Sequence, residues 1–404
     1  MLAELVFLSR FLGLAFGPQA VMLKADAEVK RVELRRDGER IGALSKPPWN
    51  ARIDLGRDLG PYELTAIGYG ADGTEVARDT QLVNLARPAA EALILLDRNG
   101  TALSARLGWL HIAGAEPTTT VVKFDGKVVS RKATSAPIPL GDVTDDQVHV
   151  VSAELMFPGG MQVRKEIVFG GPHSEQMPAE LTAVAVRKRG ETPTRCIRAG
   201  GREMEPVAVE SPLPQVAVIV NGGVPAWVTL ARRGQGVPAQ FSVVFPVLTA
   251  GDGVEMFPTQ YIARHLGLRE ALRERRVVGK KEFAHAVAAA AMRALRQEQR
   301  RAIIYVLGKS DAADQSAIDA PAVRRYLQRV GVPLYVWSFT GPRPELAETW
   351  GEVQDVSTPE RLGEATAGLR ADLNSQRVAW LPAPPLDAYR ATASDDCAYL
   401  PLAK

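Results

Sequence analysis

Two hydrophobic rhythms divide the chain. Up to Pro214, apolar and polar residues alternate over short runs closed by Gly, Pro, Asp or Asn, which is the period of half-buried strands. Val32 to Ile41 reads as a hairpin around Asp37-Gly38, and Val121 to Val129 repeats it around Asp125-Gly126. Asp-Gly tolerates the left-handed backbone that a tight hairpin needs. Ile53-Asp54-Leu55-Gly56 then matches Ile138-Pro139-Leu140-Gly141, and Tyr62 to Ile67 matches Val148 to Ala153, with Tyr62 aligned on Val148. Further turns follow at Gly70-Ala71-Asp72-Gly73 and Phe157-Pro158-Gly159-Gly160. The order of elements is kept, so an internal duplication is the economical reading. It predicts two antiparallel sandwiches of immunoglobulin-like architecture, 1–86 and 87–170. Neither has a Cys-Trp-Cys core, and Trp49 and Trp109 are expected to supply packing rather than sugar platforms.

Residues 171–213 read as a strand-containing connector with a basic turn at Arg187-Lys188-Arg189. After Pro214 the rhythm changes. Val216 to Val220, Phe241 to Leu248, Ala302 to Leu307 and Pro333 to Phe339 are apolar throughout, as strands covered on both faces should be. Glu282 to Gln299, Ala322 to Val330 and Thr358 to Gln376 carry helical spacing, the last opened by Thr358 as cap and Pro359 in the first turn. The fold class is thus multidomain: two all-β sandwiches, then an α/β doubly wound domain over 214–382 and a tail over 383–404.

Composition narrows the chemistry. With 49 basic and 46 acidic side chains in 404 residues, the net charge of +3 supplies no broad attraction to nucleic acid. No run reaches the length of a membrane span. The apolar segment from Met1 to Gly17 is interrupted by Glu4 and Arg10 and lacks the early positive region of a signal peptide, so it reads as the first strand of a domain. Cys196 and Cys397 have no zinc-site spacing. They fit either one bridge in an oxidising compartment or, the preferred reading, two unrelated small apolar residues. The five histidines are scattered. Gly308-Lys309-Ser310 follows a strong strand, but Ile303 stands where a phosphate-binding loop requires Gly.

Three segments bear on a known family. Val216-Ala217-Val218-Ile219-Val220-Asn221-Gly222-Gly223 resembles the opening strand of a von Willebrand factor A domain, whose Asp-x-Ser-x-Ser would hold Mg²⁺. Lys281, in Gly279-Lys280-Lys281-Glu282, falls where that family carries a metal-binding Thr, and Gly308-Lys309-Ser310 replaces its Ser-Asp-Gly. Mg²⁺ needs hard oxygen ligands in octahedral array, which Asn, Gly and Lys oppose. Together with Pro47 to Gly56, Asp79 to Asn84 and the ending from Leu362 to Pro382, the whole chain resembles the bacterial von Willebrand factor A-related proteins of acidobacterial type, with a degenerate metal site. The interval from Val224 to Gln240 is too short for that family's first long helix.

The resemblance implies a non-enzymatic adhesion or assembly scaffold, with no cofactor or metal, that binds a protein partner and is periplasmic or secreted. Without a removed export signal it would be cytoplasmic. The expected partner-binding crevice comprises Asn221, Gly222, Gly223, Lys281, Lys309, Ser310 and Asp311. Either lysine would occupy the vacated cation position and attract a carboxylate, or, as preferred, the crevice would be closed with the lysines solvated or paired to Asp311 or Glu282. The alternative function is a hydrolase or transferase using Asp311, Asp314 and His285.

Overall fold

A computed structural model of the protein describes all residues except 1–4, 10, 12, 86–89, 100–101, 112–114, 133, 135, 144–148, 159–160, 170–180, 226, 229–236, 245–253, 258–279, 297, 310 and 404. The chain forms two compact units, one made of Met1–Ala86 with Thr182–Lys404 and the other of Arg87–Leu181.

Within the first unit, the N-terminal sandwich stacks a three-stranded sheet on a four-stranded one. The strands Leu5–Phe7, Pro18–Ala25 and Asn50–Asp54 form the first, and Glu39–Leu44, Arg31–Arg36, Tyr62–Tyr69 and Glu75–Val83 lie in that order in the second. All pairings are antiparallel. Leu5, Phe7 and Ala15 enter the core beside Trp49, so the N-terminal segment belongs to the sandwich as its composition predicted. Among the described residues of this segment only Leu5–Phe7 is strand. At its end and beyond, side chains hold the backbone: Asp79 Oδ2 accepts from Phe7 N at 2.8 Å, Gln81 Oε1 from Phe11 N at 3.1 Å and Asn84 Oδ1 from Ala15 N at 2.8 Å. Gln81 and Asn84 also donate to the carbonyls of Ser9 and Ala15, which satisfies two buried amides that would otherwise be costly.

The second unit repeats this plan. Ile138–Asp142, Ala102–His111 and Ala90–Asn99 form one sheet in that order, and Lys127–Ser130, Thr119–Phe124, His149–Met156 and Gln162–Phe169 form the other. Trp109 is partly buried against its core and donates Nε1–H to Glu116 at 2.9 Å.

The duplication reaches atomic detail, in a register one residue from the alignment of Tyr62 on Val148. Asp37 and Asp125 both sit at positive φ, +48° and +46°. Asp37 exchanges two hydrogen bonds with the Glu63 backbone, N to O at 2.9 Å and N to Oδ1 at 2.9 Å. Asp125 makes the same pair with Val150 at 2.9 and 2.8 Å. Glu63 therefore corresponds to Val150 and Tyr62 to His149. Since strand side chains alternate, a slip of one residue exchanges inward and outward positions. In the observed register Leu64 and Ala66 fall on Val151 and Ala153, and all four are buried.

The α/β domain of the first unit carries one six-stranded sheet. Its order is Val254–Phe257, Gln240–Val244, Gln215–Asn221, Arg301–Leu307, Leu334–Ser338, Val353–Asp355. Five strands are parallel and the edge strand Val254–Phe257 is antiparallel. In chain order this is 3-2-1-4-5-6, the doubly wound arrangement. Gln215–Asn221 and Arg301–Leu307 are buried at every position, as their unbroken apolar runs require. Helices Phe283–Leu295 and Ala320–Arg329 pack on one face, and Pro359–Ser375 packs on the other through Leu362, Leu369 and Leu373. Thr358 caps the last helix by accepting from Arg361 N, with Pro359 in its first turn.

The final strand, Gln376–Leu381, leaves this sheet. It pairs with Thr182–Lys188 and Ala208–Glu210, and Tyr399–Pro401 completes a second sheet on the far side of Thr182–Lys188. The stretch expected to connect domains and the expected tail are thus two sides of one small lobe with its own core, including Val186, Ile197 and Leu381. Cys196 and Cys397 are bonded across it, with Cα atoms 5.6 Å apart and a sequence separation of 201. This corrects the preferred reading of two unrelated residues: the pairing rests on strands far apart in sequence, which local patterns do not report.

The first sandwich packs directly on the α/β domain. Leu59 and Leu85 join the core formed with Tyr326 and Leu327, and Tyr326 Oη donates to Asn84 O at 3.1 Å. Arg329 Nη1 pairs with Asp58 at 2.6 Å, and Arg390 Nη2 with Asp37 at 2.7 Å. Burial alone would raise the Asp58 carboxyl, but the Arg329 guanidinium outweighs it and holds the group below its ordinary value of 3.8. A lowered pKa stabilises the folded state above the unfolded value and is lost as pH falls through the folded one. The advantage of the wild type over Asp58→Asn is expected to be at most about 1 kcal/mol, because both partners are half exposed, and to vanish as pH falls through and below the ordinary carboxylate range. Urea denaturation of both proteins across this range checks it; an advantage that persists in acid would contradict the assignment.

Candidate functional site

In an open doubly wound sheet, ligands bind beyond the carboxyl ends of the strands where the strand order reverses. Here that point lies between Gln215–Asn221 and Arg301–Leu307. It is closed by backbone. Gly223 N donates to Lys309 O and Lys309 N to Gly223 O, each at 2.8 Å, and Gly308 N donates to Asn221 O at 2.7 Å. The two glycines are needed for this closeness. A Cβ on Gly308 would lie 2.2 Å from Gly223 O, and one on Gly222, at φ +94°, would lie 2.7 Å from Lys309 O.

Asn221 fills the space beneath. Its side chain is buried, with the residue 4% exposed. Oδ1 accepts from Ala312 N at 2.8 Å, while Nδ2 donates to Ala312 O at 2.9 Å and to Tyr305 Oη at 3.1 Å. Both ends of the amide are engaged, and burial pushes the Tyr305 phenol up, so it stays protonated. Asn221 thus pins the loop after Arg301–Leu307 in the place where the resemblance would put a metal-ligating carboxylate. The donor set does not fit Mg²⁺: an amide already committed on both sides, two glycines and, among the described residues, no metal-binding group of acidic side chains. Among the described residues no group of three or more His, Cys, Asp or Glu side chains has a metal-binding arrangement.

The acidic residues of the loop are engaged elsewhere. Asp311 pairs with Arg343 at 3.0 Å, not with either lysine. The arginine that holds it went unnoticed in sequence because it follows a different strand. Asp314 caps helix Phe283–Leu295 from outside, with Oδ1 accepting from Phe283 N at 2.9 Å and Oδ2 from Ala284 N at 3.1 Å. Ser316 Oγ accepts from His285 N at 3.1 Å and donates to Asp314 Oδ1 at 2.6 Å. A carboxylate at a helix N-terminus is favoured by both the vacant N–H groups and the helix dipole. The preceding residue, Glu282, supplies no side-chain cap, and Asp314 takes that place from the neighbouring loop.

Of the expected crevice residues, Asn221, Gly222, Gly223 and Lys309 meet at the closed strand ends, and Asp311 lies in the adjoining loop. Lys281 sits at the base of the capped helix, where its backbone exchanges hydrogen bonds with Gln315. Ser310 lies outside the described residues. Neither lysine ammonium is paired with an acidic side chain among the described residues, so of the two arrangements expected for a closed crevice, solvated lysines or lysines paired to Asp311 or Glu282, the pairing is not formed. Asp311, Asp314 and His285 are likewise not assembled as an acid–base set: Asp311 binds Arg343, while Asp314 and the His285 backbone both serve the helix cap.

No family model matches the chain, and no curated protein matches it. Among solved structures it is similar to the fibronectin(III)-like modules of Clostridium thermocellum CbhA, at 14% identity over 42% of this chain and 94% of that one, with a TM-score of 0.18. It is also similar to the central fibronectin-III array of RIM-binding protein, at 11% identity over 50% of this chain and 80% of that one, with a TM-score of 0.25. Likenesses at these scores add nothing to the architecture read from the strands themselves: N-terminal sandwich modules joined to an α/β region with a parallel sheet.

Proposed function

We propose that the protein is a non-enzymatic interaction or assembly scaffold related to the bacterial von Willebrand factor A-related proteins, and that its α/β domain binds a protein partner without a metal. The observation that carries this reading is the closure of the strand-end crevice by the Gly223–Lys309 bridge and the Asn221 amide. A domain of this topology would normally place its ligand there. With that position used for internal hydrogen bonds, recognition falls to outer surfaces of the modules. The hydrolase or transferase alternative gains no support from Asp311 and Asp314, whose carboxylates already hold Arg343 and the helix N-terminus.

The Cys196–Cys397 bond supports a place outside the cytoplasm, since such bonds persist in oxidising compartments. No helix among the described residues is long and apolar enough to cross a membrane.

Isothermal calorimetry with Mg²⁺, paired with thermal denaturation in EDTA, tests the metal-independent reading. No stoichiometric heat and an unchanged melting temperature are expected. Saturable uptake of one Mg²⁺ with a rise in stability would return metal-dependent adhesion to first place. Quantitative cross-linking in native extract, with and without EDTA, then examines the scaffold itself: the same partners are expected in both conditions, and their loss in EDTA would refute metal independence.

A further inference from the structure

The first sandwich, the α/β domain and the small lobe leave a cleft of about 450 Å³ between them, within the range of small-molecule sites. Arg36, Asp37, Asp58, Tyr62, Arg329 and Arg390 supply its polar wall. Two of the three guanidinia are paired, Arg329 with Asp58 and Arg390 with Asp37. Arg36 has no acidic partner among the described residues. It lies 4.3 Å over the Tyr62 ring and donates Nη1–H to Leu55 O at 3.2 Å. Three arginines against two aspartates leave the wall with an excess positive charge.

Tyr62 is the second, independent sign. It is 1% exposed, yet its hydroxyl has no hydrogen-bond partner among the described residues. Buried hydroxyls are normally satisfied. Burial also pushes this phenol up, so it remains a donor.

The second sandwich supplies an internal comparison. There His149 stands at the position of Tyr62 and Phe124 at that of Arg36, their rings stacked 5.4 Å apart. His149 Nδ1 meets Asp125 Oδ2 at 2.7 Å, so the module satisfies this position from its own hairpin turn. In the first sandwich the matching oxygen, Asp37 Oδ2, is taken by Arg390, and Tyr62, which lines the cleft, is left without a partner for its buried hydroxyl among the described residues. Substitution of both residues, Phe to Arg and His to Tyr relative to the other copy, has put a cation and a hydroxyl donor where the sister module has a closed aromatic stack.

We propose that this cleft is an oxyanion site, in which the Tyr62 hydroxyl and the Arg36 guanidinium hold a carboxylate or phosphate group of a small molecule. Both chemistries offer what the wall lacks, acceptor oxygens bearing negative charge, and a guanidinium presents its planar fork to either. Arg329 and Arg390 line the same cleft, and their positive charge reinforces the preference for an anion. The site is separate from the closed strand-end crevice and does not depend on the scaffold reading.

The test uses the full disulfide-bonded chain, titrated in thermal-shift and calorimetric experiments with sodium phosphate and with sodium succinate, against sodium chloride at matched ionic strength. Saturable stabilisation by phosphate, succinate or both is expected, and which one saturates identifies the group. Tyr62→Phe removes only the unpartnered oxygen, so its folding is preserved, and its affinity is expected to fall about tenfold, the usual loss of one hydrogen bond to a charged group. Arg36→Gln is expected to weaken binding at least as much. A response no greater than that to chloride, or a Tyr62→Phe protein that binds as the wild type does, would overturn the proposal.

Discussion

Replacing Cys196 and Cys397 together by serine is expected to lower the unfolding free energy of the first unit by about 4 kcal/mol. The bond closes a loop with a sequence separation of 201 residues, which includes the whole α/β domain. Loop-closure entropy grows with the logarithm of length, so a loop this long lies at the upper end of disulfide effects. The local consequence should be as informative. Tyr399–Pro401 is held by only three register pairs, Val186–Pro401, Arg187–Leu400 and Lys188–Tyr399, and a strand that short has little stability of its own. Without the bond, amide exchange should accelerate first across 392–403 and then in Thr182–Lys188. Urea denaturation with hydrogen-exchange mass spectrometry checks both. A loss below about 1 kcal/mol would mean that the lobe core alone holds the tail. Thiol titration of protein isolated without reductant bears on location, since two free thiols would remove the support for an oxidising compartment.

Asn221→Asp should destabilise the α/β domain by about 3 kcal/mol and still fail to bind Mg²⁺ tightly, because a buried group that loses its donor incurs the full desolvation cost. Sequence reasoning attributes the failure to repulsion by Lys281 and Lys309. The geometry supplies a nearer cause. Nδ2 of Asn221 donates to Ala312 O at 2.9 Å, and a carboxylate oxygen in its place would set negative charge against that carbonyl. Burial raises the pKa of such a carboxyl, and a group with a raised folded-state pKa stabilises below that value and loses its contribution as pH rises. The deficit relative to wild type is therefore expected to shrink in acid, where a protonated carboxyl can donate to Ala312 O. Urea denaturation as a function of pH, with Mg²⁺ calorimetry on the same variant, provides the check. Stability equal to wild type at neutral pH, or stoichiometric Mg²⁺ binding, would show that the loop can reopen into a metal site.

These two substitutions mark the limit of what could be read from the chain alone. In the sequence Asn221 stands where the resemblance puts a metal-binding carboxylate, a reading that concerns only residue types along one strand. Its actual occupation, a three-way hydrogen bond to Ala312 and Tyr305, depends on residues 84 and 91 positions away. In the same way the sequence presents Lys309 as a charge, whereas its backbone closes the crevice with Gly223. A backbone contact between two loops leaves no pattern in side-chain polarity, apart from the glycines that permit it.

Periodicity and turn chemistry were sufficient for the elements themselves. The unbroken apolar runs at Val216 and Ala302 became strands buried on both faces, Thr358-Pro359 opened a helix, and both Asp-Gly pairs turned hairpins at positive φ. These features follow from interactions within a few residues, where steric limits and local hydrogen bonds act. Tertiary structure decided the rest. It set the register of the duplication, in which Tyr62 answers His149, through the hydrogen bonds of Asp37 to Glu63 and Asp125 to Val150. It joined Cys196 to Cys397 and carried Gln376–Leu381 into a sheet with Thr182–Lys188, away from the strands that precede it. It also brought Arg36 and Tyr62 of the first sandwich to Arg329 of the α/β domain and Arg390 of the small lobe around a single cleft. Each of these depends on which distant surfaces exclude water together, a choice made by the packed chain as a whole and invisible to any local window of its sequence.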